Sequence, residues 1–320
     1  PGKKYFFFSH TIKKQPHNQK MLQAILENKI DLYDHETIVD SEYNRLIGFG
    51  RYAGIVGAYN GLRAFGLKFE LFSLPKAEML KSKEEIVERL KRITLPPIKI
   101  VLTGKGKVGG GIKQVLDAVK IKEVPPEHFL KKNFSDPVYT HIDVLEYNKR
   151  LDGGVPTKQD FFSHPEAYAS DFGKFSKVAD ILMAGHFYGN GAPVILTSDM
   201  LKAADNKIKV VADISCDVAG PIASTLRSSS IAEPLYGYHP VTGAEVDVFH
   251  PAAIVVMAVD NLPCELPKDA SEGFGELFLK YVVPAFFNGD ADGILERAQI
   301  TRNGKLTPHF QYLEEYASAK

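Results

Sequence analysis

The chain has 320 residues, 44% hydrophobic and 24% charged, enough apolar content for one large core or two medium ones, and the length favours two domains. Thirty-nine basic residues balance thirty-nine acidic ones, which removes any bulk electrostatic reason to expect nucleic acid or an anionic membrane as partner. Apolar stretches such as AAIVVMAV at 252–259 are too short to span a bilayer, and two cysteines, Cys216 and Cys264, without metal-ligand spacing fit a reducing, cytoplasmic setting and a metal-free protein.

Pro1 is not a start residue, and YFFFSH at 5–10 reads as a core strand beginning almost at once, as if preceding sequence were absent. The patterns then predict strand 4–9, helix 18–28, strands 30–34 and 45–49, a small-residue helix near 51–66, and a charged helix near 82–92. Gly50, Gly54 and Gly57 are close-packing positions in the small-residue helix. LPP at 95–97 stiffens a crossing between domains. Further strands are predicted at 179–185, 208–215 and 254–260, and a helical tail follows 266 with Leu277, Phe278, Tyr281 and Val282 on one face. Alternating strands and helices argue for an α/β protein with a parallel, doubly wound sheet.

The most informative run is IKIVLTGKGKVGGG at 98–111. Ile98, Ile100, Val101 and Leu102 form an apolar strand that feeds directly into Gly104, Gly106 and Gly109. In the dinucleotide-binding fingerprint the first glycine permits a tight turn, the second leaves room for phosphate oxygens, and the third lets the next helix pack closely on the sheet. Ile112, Val115, Leu116 and Val119 recur at helical spacing, so the glycines, with Lys107 and Val108, fall at a helix N-terminus that attracts anions. The fingerprint's acidic residue, expected about 20 residues on to bind a ribose 2′-hydroxyl, is missing. Lys131 and Lys132 stand in that region, either suiting a 2′-phosphate or lying as solvated surface, and they tilt the reading slightly toward NADP over NAD.

Read together, the blocks FFFSHTIKKQ, DLYDHETIVD, RLIGFGRYAGIVGA, VLTGKGKVGGG, VVADISCD, VDNLPCELPKDASEGFG and AQITRNGKL cover nearly the whole chain. In that order they resemble the lysine-ketoglutarate reductase portion of aminoadipic semialdehyde synthase and lysine-forming saccharopine dehydrogenase, and more distantly alanine dehydrogenase and the transhydrogenase dinucleotide domain. The resemblance implies two Rossmann-like doubly wound parallel-sheet domains with a cleft between them. Residues 1–95, rejoined by 266–320, would form the substrate domain, and 96–265 the dinucleotide-binding domain. It also implies hydride transfer between NAD(P)H and the imine of lysine with 2-oxoglutarate, giving saccharopine or reversing its formation. Homo-oligomers are compatible with it. An alanine-dehydrogenase-like enzyme and a catalytically silent dinucleotide-binding protein are the alternatives.

By the same resemblance His10, at the carboxyl end of a predicted strand, is the acid/base, histidine being the side-chain type suited to proton exchange around neutral pH. Asp260, with Asn261 and Leu262 at the end of strand 254–260, would orient cofactor or bind the substrate amine. Lys13 and Gln15 would meet substrate carboxylates, Glu36 would stand near the reacting groups, and Arg45 near cofactor or substrate. Asp213, with Ser215 and Asp217, would shape the cofactor side, and Tyr188, Asn190 and Gly191 would border the adenosine or pyrophosphate. The family's catalytic lysine and a substrate-binding arginine belong to a segment upstream of the histidine and have no counterpart in these residues.

Overall fold

A computed structural model describes residues 1–189 and 191–319, so the expectation for Asn190 lies outside the described residues. The first half of the chain runs β1 (Lys4–Phe7), α1 (Pro16–Glu27), β2 (Asp31–Asp34), α2 (Gly50–Lys68), α3 (Lys83–Leu90), β3 (Lys99–Thr103), α4 (Lys107–Ala118), β4 (Lys122–Glu123), α5 (Pro126–Lys131), β5 (Val138–Ile142), α6 (Val144–Tyr147), β6 (Asn148–Arg150) and α7 (Lys158–Ser163). It continues through β7 (Tyr168–Ser170), α8 (Gly173–Ser176), β8 (Ile181–Ala184), α9 (Ser198–Lys202), β9 (Val210–Asp213), β10 (Leu235–Tyr238), β11 (Glu245–Val246), β12 (Ile254–Met257), α10 (Pro267–Leu277), α11 (Val283–Ala285), α12 (Ile294–Ala298), β13 (Thr301–Arg302), β14 (Lys305–Leu306) and α13 (Glu314–Ser318). None of the described helices is long and apolar enough to cross a membrane.

Two compact units result, Pro1–Phe49 with Ser271–Lys320, and Gly50–Ala270. The sequence reading draws its first boundary at 95, whereas residues 50–95 group with the larger unit because α2 lies directly on α4. A Cβ at Gly54 would stand 2.1 Å from the Val108 carbonyl oxygen, and one at Gly111 would stand 2.0 Å from that of Arg51. Only glycine permits backbones to approach so closely. Buried positions run all around α2, as befits a helix enclosed on every side.

The larger unit is built on an eight-stranded sheet in the order β11-β10-β12-β9-β8-β3-β5-β4, parallel from β12 to β4 and antiparallel at β10 and β11. ILMA of β8, VVAD of β9 and IVVM of β12 are wholly buried, the signature of parallel strands covered on both faces. Val101, Leu182, Val211 and Val256 join one core beneath them, each aliphatic side chain contributing about 1.5–3 kcal/mol by leaving water. The chain leaves β3 on the β5 side and returns through β8 on the other, so the topological switch point, where open α/β sheets bind ligands, falls at the end of β3. β5, unforeseen in the sequence, separates β3 from β4 and decides which residues end beside β3.

In the smaller unit β1 and β2 pair in parallel, with Phe6 stacked on Tyr33 at 4.6 Å. Tyr33, Ile38, Ile47, Val282, Ile294 and Ala298 form one of its cores. The strand expected at 45–49 is reduced to a bridge between Val39 and Arg45, with the Leu46 amide donating to Ile38 O at 2.9 Å. The cause is a tight turn: the Asp40 carboxylate collects the amides of Glu42 and Asn44 and folds the chain back before a strand can extend.

Candidate functional site

In the larger unit the glycine turn sits at the carboxyl edge of β3, clamped from both neighbouring strands. On the β5 side, Gly104 N donates to Ile142 O at 2.9 Å and His141 Nε2 lies 2.8 Å from Gly104 O. A carbonyl only accepts, so Nε2 carries the proton. On the β8 side, Gly185 N donates to Thr103 O at 3.0 Å, and the Thr103 hydroxyl meets His186 Nδ1 at 2.7 Å. Burial pushes His186 down to about 4, so this clamp is a neutral imidazole. His141 and the Thr103–His186 pair were not singled out in the sequence, because a strand-end histidine carries no local signature.

The three glycines divide their tasks as the fingerprint requires. Gly104 has φ +88° and a Cβ there would lie 2.5 Å from His186 Cα, so it makes the turn. A Cβ on Gly109 would lie 1.8 Å from Gly104 O, so it brings α4 against the turn. Gly106 has nothing within 4 Å of its Cβ position, caps α4 without a side-chain hydrogen bond, and faces open space. An open, side-chain-free seat at the N-terminus of a 12-residue helix fits the pyrophosphate of a dinucleotide. Lys107 and Val108 supply the first turn of that helix.

Other candidates share this carboxyl edge. Asp213, at the end of β9, is fully buried and accepts from Ser215 Oγ at 2.5 Å, Thr225 Oγ1 at 2.6 Å and Cys216 N at 3.1 Å, so it holds the loop's shape. Burial raises its carboxyl above the usual range. Asp260 and Asn261 are exposed just beyond β12, while the Leu262 side chain is buried and offers only backbone. Tyr188 is turned inward on its own loop, donating to Ala192 O at 2.9 Å.

Lys131 is not brought to the glycine turn. It lines a recess of about 390 Å³ with Pro97, Lys99 and Asp180 at the amino-terminal end of the parallel strands, and Lys99 Nζ donates to Lys132 O at 2.7 Å. Five residue steps along β3 separate Lys99 from the turn at Gly104, roughly 16 Å at a strand's rise. The spacing argument for a 2′-phosphate at Lys131 therefore has no geometric support. The strand that ends beside the turn is β5, and the residue after it is Asp143, about twice as far along the chain as the fingerprint spacing.

In the smaller unit, the buried Asp34 at the end of β2 organises a second cluster. It accepts the Ser9 amide at 3.0 Å, the Ser9 hydroxyl, and the Glu36 amide at 2.7 Å, tying the chain after β1 to that after β2. His10, in a left-handed conformation at φ 54°, then meets Glu36 Oε2 through Nδ1 at 3.0 Å. Lys13 Nζ is 3.2 Å and Arg45 NH1 4.0 Å from Glu36 Oε1, with the Arg45 guanidinium also over the Phe8 ring at 5.5 Å. His10, Lys13, Glu36 and Arg45 thus converge. Gln15 does not join them: it precedes α1, and its side chain accepts from Asn18 at 3.2 Å. Asp34 was missed because a strand-end aspartate in sequence reads as an ordinary turn residue.

The family described as alanine dehydrogenase/PNT, C-terminal domain, matches residues 140–311, more than half of the chain. The chain belongs to that family. The match begins within β5 and runs through the rest of the parallel sheet into the smaller unit. Among curated proteins the chain is 28% identical to alpha-aminoadipic semialdehyde synthase of Arabidopsis thaliana over 98% of its own length and 33% of that protein's. It is 23% identical to the saccharopine dehydrogenase (NAD+, L-lysine-forming) of Yarrowia lipolytica, covering 85% of this chain and 66% of that one. The chain spans 33–40% of the length of the synthases it matches. Among solved structures, L-alanine dehydrogenase superposes with a TM-score of 0.59 at 15% identity, over 98% of this chain and 76% of that one, which shows the shared Rossmann-like fold.

Proposed function

We propose that this member of the alanine dehydrogenase/PNT C-terminal domain family is a nicotinamide-dependent oxidoreductase of amino-acid metabolism, acting between lysine, 2-oxoglutarate and saccharopine. The observation that carries the dinucleotide half is the open Gly106 seat at the start of α4. The dinucleotide, when bound, supplies or takes up the hydride. The resemblance of the blocks around His10 and Glu36 to saccharopine-forming enzymes supports the substrate half, as do the names of the similar curated proteins.

The chain's own residues divide the remaining work. His10 holds Glu36 through Nδ1, which leaves Nε2 as the ring nitrogen that can accept a substrate proton. Glu36 fixes the ring, and Lys13 and Arg45 offset the carboxylate's charge while presenting cations suited to substrate carboxylates. Asp34 positions the whole loop and touches no substrate. Asp260 and Asn261 supply polar groups at the carboxyl edge of the larger sheet.

The test is an absorbance assay at 340 nm with lysine and 2-oxoglutarate, run beside alanine with pyruvate, for the unaltered chain and His10→Ala. Oxidation of reduced cofactor with the lysine pair, lost in His10→Ala while cofactor binding persists, is the expected result. Turnover with alanine and pyruvate alone would move the assignment to an alanine-type enzyme, and tight cofactor binding without turnover on either pair would make the chain a dinucleotide-binding protein.

A further inference from the structure

At the amino-terminal end of the parallel sheet, three adjacent strands begin around one recess. Lys99 is the first residue of β3, Asp180 immediately precedes β8, and Lys207 stands three residues before β9. The end of α5, with Lys132, lines the same space, which measures about 390 Å³ and falls within the size range of small-molecule sites. Among the described residues that line it, Lys99, Lys131, Lys132 and Lys207 stand against one carboxylate, that of Asp180.

These charges are not cancelled within the recess. Asp180 accepts the Lys99 amide at 2.8 Å, burial raises its carboxyl above the usual range, and its charge is shared among Lys207, Lys99 and Lys209. Lys131 pairs with Glu127 at 3.0 Å, but the two side chains are 72% and 74% exposed, so that pair belongs to the solvated rim. Among the described residues no carboxylate pairs with Lys132 or Lys207. The Lys99 ammonium is fixed in place: it donates to Phe129 O at 2.6 Å and Lys132 O at 2.7 Å, and lies 5.4 and 5.5 Å from the ring centres of Phe129 and Phe134. Two of its three donors are thereby used, leaving one N–H for the recess it lines. Burial, and then the like charge of Lys207, hold this ammonium below the usual lysine range. The Lys207 amide donates to Ser176 O at 2.8 Å, so its stem starts from an anchored point while its ammonium is free to reach an anion.

We infer that this recess is a binding site for a small phosphate-bearing polyanion, held by Lys99, Lys132 and Lys207. An anion between Lys99 and Lys207 turns their mutual repulsion into two attractions. Ammonium groups act as point charges that suit a tetrahedral phosphate, and among the described lining residues there is no arginine to offer the planar fork that matches a carboxylate. The site is separate from the dinucleotide seat, since β3 carries the chain roughly 16 Å from Lys99 to the glycine turn, about two Debye lengths at physiological salt. The inference stands independently of the function proposed above.

Calorimetric titration with inorganic pyrophosphate tests it in the unaltered chain and in Gly106→Val, which closes the seat at the glycine turn. Lys132→Ala, Lys207→Ala and Lys122→Ala are each added to that background. Saturable binding is expected in both the unaltered chain and Gly106→Val, weakening as salt is raised from 50 to 500 mM. Affinity should fall about fivefold or more in Lys132→Ala and in Lys207→Ala, with thermal midpoints unchanged because both side chains are exposed. Lys122→Ala removes the same charge from the edge strand β4 and should leave the affinity unchanged. In the unaltered chain, amide shifts should include Asn133, Phe134 and Lys207. Absence of those shifts, or loss of pyrophosphate binding in Gly106→Val with its fold intact, assigns the anion to the glycine turn and overturns the inference. Equal losses in Lys122→Ala and Lys207→Ala, citrate binding as tightly as pyrophosphate, or no saturation of the unaltered chain overturn it as well.

Discussion

His141 Nε2 donates to Gly104 O at 2.8 Å, so the second strand of the sheet's parallel half grips the carbonyl at the apex of the glycine turn. Replacing His141 with Ala removes that grip and leaves the carbonyl to water. Binding of reduced dinucleotide should weaken by about five- to tenfold, the value of one hydrogen bond near 1 kcal/mol, with little change in the denaturant midpoint. An unchanged dissociation constant would show that the turn needs no such support.

Gly106 and Gly109 separate seat from scaffold. An added methyl at Gly106 meets nothing within 4 Å at an ordinary φ of −85°, so Gly106→Ala should leave the urea midpoint within about 0.5 kcal/mol while weakening dinucleotide binding tenfold or more. Gly109→Ala drives its methyl to 1.8 Å from Gly104 O and should destabilise the fold by about 1–3 kcal/mol or more. Similar stability losses at both positions would contradict the division of roles.

Much of this was legible beforehand, and the failures have one physical origin. The buried runs of β3, β8, β9 and β12 and the glycine turn announce themselves through local pattern, as does α2 through its small residues. β5 does not: VYTHI follows a loop and carries a histidine and a threonine where a continuous apolar run is expected of a central strand. Counting about 20 residues from the turn leads to Lys131, because that count assumes the next strand lies beside β3, whereas here β4 pairs only with β5. Strand order is a long-range property, and no spacing along the chain encodes it. The His10 cluster was found by resemblance, while Asp34, which builds it, has no such mark.

Glu265 gives the larger unit a pH signature. It is 1% exposed, accepts Asn60 Nδ2 at 3.0 Å, and burial pushes its carboxyl up to about 7. The folded state therefore keeps a proton that the unfolded chain, with an ordinary carboxyl near 4.5, releases. This contribution is fully present below about pH 4.5, declines as the pH rises toward 7, and amounts to about 3 kcal/mol across that window. Glu265→Gln should abolish that part of the slope in urea denaturation between pH 5 and 7. An identical slope in the variant would assign it elsewhere.

The two thiols should react at different rates. Burial, then the carboxylates of Asp213, Asp260 and Asp217, raise Cys216 to about 11, so its nucleophilic thiolate is scarce, whereas Cys264 is exposed. Iodoacetamide at pH 8 should label Cys264 at least tenfold faster than Cys216, read by mass spectrometry of the peptides. Equal rates would show that the Asp213 loop opens freely.

The seat at the glycine turn is tested most directly by amide NMR of the isotope-labelled chain during titration with NADPH. Saturable shifts concentrated on Lys105, Gly106, Val108, Gly109 and Gly110, absent in Gly106→Val, are the predicted result. Shifts that gather instead on the recess lined by Arg63, Arg227 and Tyr236, or no saturable shifts at all, would contradict the account.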